Sequence, residues 1–320
     1  MFARAAERVS SSANRGATRR ELTAAGRAVC FASLVAVTLV AFWAPLSMLA
    51  PFSFRHEHYS HIILIPLVSG SLLVLGRERI FAHCETHWRL GMGLLTAGAL
   101  SYWFGQGHWA AASANDQLSV AIFALVVTWV SAFVLCYGMR ALQRGLFPLL
   151  FLFLMVPIPD GVLSRAIFVL QTGSAEVANS LFEVVGVPVL RTGFTFALPG
   201  VTIEVAKECS GIRSSLVLLI TSLLAGHLFL RSAWTRGVLA LATVPLLIVK
   251  NGIRIATLSL LSVYVDPRFL TGSLHRDGGI VFFLLALAIL TPVLWILQRS
   301  EASQAHAAAT KHGVTASRSR

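Results

Sequence analysis

Charged side chains are scarce in this chain of 320 residues. Asp, Glu, Lys and Arg together make up 12% of it, against ~25% in an ordinary soluble domain. So little charge cannot coat a water-soluble surface, and a soluble globular enzyme is excluded. Acidic residues are the rarer sign, 14 against 26 basic, for a formal net charge of +12. A basic excess of that size could serve nucleic acid, but the charges are not gathered on any soluble domain, so that partner is set aside. No Walker, Rossmann, HExxH or GxSxG pattern is present, and the chemistry those motifs carry has no foothold here. A cleavable secretory leader is not expected, because the first apolar run is long and lacks a cleavage site.

What the chain has instead is apolar length. Hydrophobic residues make up 56%, and mean hydropathy is +0.74. A bilayer span needs about 20 mostly apolar residues. Runs near 29–50, 61–76, 91–109, 118–138, 145–159, 211–230, 237–263 and 278–298 meet or approach that length, so eight spans are expected. The second and fifth are short, and Pro157 and Pro159 could turn the fifth back on itself. Placing the N-terminus in the cytoplasm puts 17 of the 26 Lys and Arg on the inner side and 7 on the outer, with Lys250 and Arg254 inside the seventh span. That bias predicts both termini inside. The organisation expected is a basic tail over 1–28, a polytopic membrane domain over 29–298 and a second tail over 299–320. The tails, rich in Ala, Ser and Arg, read as disordered.

One long outer connection, 160–210, breaks the series of spans. Leu163, Ile167, Leu170, Val177, Leu181 and Val184 recur at helical spacing, while Ser164, Gln171, Ser174, Asn179 and Glu183 fill other faces. This predicts an interfacial amphipathic helix over 163–185. Beyond it Phe194, Phe196 and Leu198 alternate, Pro199-Gly200 supplies a turn, and Val201, Ile203 and Val205 alternate again. A short β-hairpin is expected, lying outside the bilayer or over a cavity. The fold class is therefore an all-α integral membrane protein carrying that helix and hairpin ahead of its sixth span.

The hairpin delivers the chain to Lys207-Glu208-Cys209-Ser210-Gly211-Ile212-Arg213-Ser214. Of the four cysteines, Cys30, Cys84 and Cys136 fall on the inner side, and Cys209 alone falls on the outer, without a disulfide partner there. At the start of a helix, the unpaired N–H groups and Arg213 would favour its thiolate, and Glu208 would oppose it. Position alone leaves a structural and a reactive cysteine both open, the structural one being commoner. The seventh span adds Lys250-Asn251-Gly252-Ile253-Arg254. Arg254 lies about 14 Å below the outer rim at helical rise, which asks for a cavity around it. Lys250 is one turn deeper on the same face and could meet a partner in the bundle. The last outer loop carries His275. A lone loop histidine is usually bland, but a thiol, a guanidinium and an imidazole on one membrane face are the parts of a cysteine-nucleophile site. His56, His58 and His61 also fall outside. Their spacing could suit a metal, but no carboxylate or cysteine pattern supports one, so neither metal nor cofactor is expected.

Glu208-Cys209-Ser210-Gly211-Ile212-Arg213-Ser214, Asn251-Gly252-Ile253-Arg254-Ile255 and His275 ahead of the last span resemble the exosortase/archaeosortase family, as do Tyr59-Ser60-His61 and the Leu198-Pro199-Gly200 turn. The resemblance covers most of 30–298. It implies a cysteine peptidase/transpeptidase in a bacterial inner membrane with its site facing the periplasm. Substrates would be exported proteins ending in a Pro-Glu-Pro-like motif, one helix and a basic cluster, often linked with exopolysaccharide. By the same resemblance Cys209 is the nucleophile, forming a thioester, His275 the base and later acid, and Arg254 the oxyanion or substrate-positioning group. Glu208, Ser210, Gly211, Arg213, Asn251 and His61 support them. Water, an amine, a lipid or a glycan would accept the acyl group. The rival reading is a transporter or an envelope-assembly scaffold, which would tolerate the charges but would not need an outer thiol.

Overall fold

A computed structural model describes residues 24–55, 59–85, 87–108, 112–205, 211–270 and 279–317. The chain divides into two compact units, 1–160 and 161–320.

Among its described residues, the first unit has helices as its only regular elements. It runs α1 (Ala24–Ala41), α2 (Trp43–Arg55), α3 (Leu64–Leu75), α4 (Arg77–Ile80), α5 (Trp88–His108), α6 (Ala114–Tyr137), α7 (Met139–Arg144) and α8 (Leu146–Phe151), which tightens into a 3-10 turn over Leu152–Met155. Its backbone is the pairing of α5 with α6. Gly91, Gly98 and Gly105 recur every seven residues along α5, and a side chain on any of them would press on α6. A Cβ would come within 2.5 Å of Leu135 from Gly91 and 2.4 Å of Val120 from Gly105. Small residues at helix contacts are how helices associate where lipid removes the hydrophobic drive. Ser131 adds a hydrogen bond from its Oγ to the Gly91 carbonyl at 2.7 Å.

Polar groups close the other end of this unit. Ser113 caps α6 by accepting from the Asp116 N–H at 3.1 Å. Asn115 Nδ2 donates to the Ile158 carbonyl at 2.8 Å and to Asp160 at 2.7 Å. Ser119 donates to the Pro157 carbonyl at 2.7 Å. Those carbonyls lie in the non-helical break over 156–159, and α6 supplies donors for them.

The second unit comprises α9 (Asp160–Val185), a sheet of β1 (Leu190–Thr192), β2 (Thr195–Leu198) and β3 (Val201–Glu204), then α10 (Ile212–Phe229), α11 (Ala233–Tyr264), a 3-10 turn over Pro267–Leu270, and α12 (Gly279–Ser317). The last helix continues through residues assigned to the C-terminal tail. The expected hairpin is a three-stranded antiparallel meander, β1-β2-β3. Gly193 at φ 63° makes a second tight turn between Thr192 and Thr195, which pair across it. The Thr192-Gly193 step was a turn signal that the alternation further on overshadowed.

The amphipathic helix is present, one turn longer than expected, but its faces differ. Gln171 and Ser174 are buried with Leu170, Ala175, Ala178 and Phe182, while Phe168, Val169 and Val184 are exposed. A water-soluble pattern of apolar-in, polar-out therefore misassigns the helix. Small and polar residues make its packed side, as they do for helices surrounded by lipid. Phe182 and Phe196 meet edge to face at 5.6 Å, inside a core shared by α9, the sheet and Ile255 and Ala256 of α11.

Among the described residues, five helices are long and apolar enough to cross a membrane: α1, α6, α10, α11 and the part of α12 over Ile280–Gln304. Counting the bent pair Leu146–Met155 and Asp160–Val185 as one span makes six. Among the remaining expected spans, α3 is only 12 residues long, and α5 is interrupted by glycines and polar residues.

Candidate active site

Three successive residues of α11 hold three pieces of the second unit together. Lys250 is 2% exposed and its Nζ donates to Ser214 Oγ in the first turn of α10. Asn251 is fully buried and its Nδ2 donates to Ser174 Oγ on α9 at 3.0 Å. Gly252 lies against Val177 of α9, where a Cβ would stand 2.5 Å from the valine side chain. Gly173 makes the reciprocal approach, 2.8 Å from Ile248 by the same measure. The Asn-Gly pair is thus a packing device: its amide bridges helices, and its glycine lets them close.

Gly211 ties the cysteine motif to the same point. Its φ is +70°, a left-handed conformation that glycine adopts without strain. A Cβ there would come 2.7 Å from Asn251 Oδ1, so the residue is fixed by space as well as by backbone angle. At the other edge of the motif Val205 is 2% exposed. Its N–H donates to the Phe194 carbonyl at 3.0 Å, and its carbonyl accepts from Gln171 Nε2 at 2.8 Å. Segment 206–210 is therefore entered and left through two anchored residues.

Arg254 follows Asn251 by three residues on α11 and is half-buried. Its depth has another origin than the simple span predicted. At 32 residues α11 is about 48 Å long, more than the ~30 Å hydrocarbon layer. Its last turns are sheathed by protein, with Ile255, Ala256, Leu260 and Val263 packed into the core of α9 and the sheet. α10 begins only at the level of Asn251, so Arg254 stands about one turn beyond that start.

The helix ends also sort themselves. Glu301 of α12 accepts from the N–H groups of Arg231 (2.9 Å) and Ser232 (2.8 Å) and from the Thr235 hydroxyl, at the loop joining α10 to α11. From Glu301 back to Gly279 is about 33 Å of helix, and from Arg231 back to Ile212 about 29 Å. Both helices therefore start at the end opposite Glu301. Segments 206–210 and 271–278 feed those two starts.

Of the residues expected at the site, Glu208, Cys209, Ser210 and His275 lie outside the described residues, as do His56 and His58. Gly211 and Asn251 are brought together, Arg254 follows Asn251 by three residues on α11, and Arg213 is exposed on the first turn of α10. His61 belongs to the first unit, half-buried two residues after Tyr59. In the sequence Ser214 and Gly252 stand only as members of the motifs, and Gln171 and Ser174 only as polar positions of the amphipathic helix, without a site role. The signal for Ser214, Ser174 and Gln171 was a hydroxyl or amide on a helix otherwise free to be wholly apolar.

A polytopic helical protein with a small sheet closing one end of a helix group is the class these features define. The family described as transmembrane exosortase (Exosortase_EpsH) matches residues 52–292, about three quarters of the chain, and the chain belongs to that family. No curated protein and no solved structure matches it.

Proposed function

We propose that the chain is a membrane cysteine peptidase/transpeptidase that removes C-terminal sorting tails from exported proteins. Family membership supports a membrane transpeptidase role. The observation that carries the cysteine reading is the docking of Gly211 on Asn251, joined by Lys250 on Ser214. It unites the two motif segments that lie 40 residues apart in sequence. Cys209 precedes Gly211 by two residues, so covalent reach alone keeps it within about 7 Å of that glycine. Arg254 rises only about 4.5 Å along α11 from Asn251.

The reaction follows from the groups. Cys209 Sγ attacks the carbonyl of the substrate's scissile peptide, and His275 takes the thiol proton. Arg254 faces the oxyanion as it forms. Collapse breaks the C–N bond, and His275 returns the proton to the departing amine, leaving an acyl thioester on Cys209. An amine-bearing acceptor or water then attacks the thioester and frees the thiol. Arg213 and the helix start favour the thiolate. Glu208 and Ser210, the sequence neighbours of Cys209, complete the surroundings. On this reading the chain lies in an inner membrane, termini inside, with this chemistry on the periplasmic face. A substrate with a cytoplasmic basic end would present its motif on that side.

The test is co-expression with a reporter ending in a Pro-Glu-Pro-like motif, one helix and an arginine cluster. Wild-type protein should release the tail, and Cys209→Ala should leave it attached at equal protein level. Tail removal by Cys209→Ala would sink the nucleophile assignment.

A further inference from the structure

The first unit carries a groove that uses none of the residues proposed for catalysis. One wall is the face of α1 bearing Arg27 and Phe31. The other is the face of α3 bearing Gly70, Leu73 and Val74 and continuing to Arg77. Phe133 and Tyr137 of α6 form the floor, and the volume of the groove is about 900 Å³. Those spacings of three and four residues set each group on one side of its helix.

The groove is polar at one end and apolar along its length. Arg27 stands in the first turn of α1, and Arg77 immediately follows the end of α3, while Phe31, Leu73 and Val74 lie further in. The cations in this neighbourhood are not equivalent. Arg140 holds Glu85, the carboxylate in the groove wall, at 2.8 Å. Arg144 donates to the Arg79 carbonyl at 3.0 Å and lies 3.4 Å from His83 Nδ1. Arg77, by contrast, has no ion pair among the described residues. Arg27 Nη1 is buried and has no hydrogen-bond partner among them. A guanidinium donor withdrawn from water without an acceptor is costly, and an anion would complete it.

We propose that this groove binds an anionic phospholipid, its phosphate between Arg27 and Arg77 and an acyl chain along Phe31, Leu73 and Val74. A planar guanidinium offers paired donors to phosphate oxygens. Basic pockets at the ends of membrane helices are suited to acidic headgroups. Val74 is 63% exposed, so the apolar part opens sideways, as entry from a bilayer requires. The volume lies within the range of ligand cavities.

Native mass spectrometry of the detergent-purified full chain tests the assignment, with phosphatidylglycerol, phosphatidylcholine, glycerophosphoglycerol and inorganic phosphate as separate probes. Phosphatidylglycerol should be retained on the order of tenfold over phosphatidylcholine, and Arg27→Ala/Arg77→Ala should abolish that preference. The headgroup alone and phosphate should bind weakly. Gly70→Leu, at a position where a Cβ meets nothing within 4 Å, keeps both cations. It should lower phosphatidylglycerol retention by filling the apolar part, and it carries the test if the double variant does not fold. Equal retention of the two lipids, or retention unchanged by the substitutions, overturns the proposal. Phosphate binding as tight as the lipid would make it a free-anion site and overturn the lipid.

Discussion

Lys250 Nζ and Ser214 Oγ share a hydrogen bond across the α10–α11 contact, 36 residues apart in sequence, with the lysine 2% exposed. An ammonium inside a helix group needs its donors met, and this hydroxyl is the partner the lysine has. The pair sits directly below Gly211, so it bears on where the cysteine segment enters its helix.

Ser214→Ala should therefore be worse for the fold than Lys250→Met. The serine change leaves a buried ammonium without its acceptor and should cost about 1–3 kcal/mol. The methionine change removes the charge and fills the volume, and should cost less than about 1 kcal/mol. The double variant should recover most of what Ser214→Ala loses. Thermal melting of the four proteins in one detergent gives the cycle, and additive losses would show that the bond contributes nothing.

Gly252→Ala should cost about 1–3 kcal/mol, because its Cβ would stand 2.5 Å from Val177 in a tight contact between α9 and α11. Val177→Ala added to it should restore a large part of the loss. A simple helix-propensity effect predicts the opposite sign, since alanine favours helix over glycine. The melting temperatures of both variants decide between them.

The apolar runs were readable because a bilayer demands a length, and the long ones reappear as α1, α6, α10, α11 and α12. The faces of α9 were not, because the water rule of apolar-in fails where lipid meets Phe168 and Val169. Lys250 read as a deep charge in want of a partner, but its Ser214 is a matter of tertiary contact that no local pattern records. Gly252 read as part of a motif, yet its reason is the approach of Val177. The motif spacing brought Asn251 and Gly211 under suspicion separately, and only the fold shows that they touch.

Gln171→Leu removes the donor held by the Val205 carbonyl, the last anchored point before the cysteine segment. The buried carbonyl then lacks a partner, at about 1–3 kcal/mol. Tail processing should fall by more than the loss of folded protein accounts for, because Val205 then holds the entry to segment 206–210 through its N–H bond to Phe194 without the second bond. Processing per folded molecule, measured against the melting curve, separates the effects. Activity falling only in step with folded protein would reduce Gln171 to a stabilising role.

Arg254→Lys keeps the charge and shortens the donor fork. If Arg254 faces an oxyanion, processing should drop by about a hundredfold, with melting near that of wild type. Processing within about twofold of wild type would make its role one of charge alone.

Tyr59 gives a pH signature. It is 2% exposed, with its hydroxyl 3.2 Å from Asn115 Oδ1 and 3.1 Å from the Ile158 carbonyl. Burial, the largest cause, pushes its pKa up from 10.0 to about 12, and nearby Asp160 adds to the rise. An unfolded tyrosine gives up its proton near pH 10, whereas the folded one keeps it until about 12. Between those values the unfolded state binds fewer protons, so stability falls as pH rises. The contribution is intact below pH 10, and its loss amounts to about 2 kcal/mol by pH 12. Tyrosinate absorbance, wild type minus Tyr59→Phe, should rise only near pH 12. The wild-type melting temperature should also drop more steeply than that of Tyr59→Phe over this window. A difference signal centred at pH 10, with parallel melting curves, would mean that the Asn115 pocket does not hold the phenol.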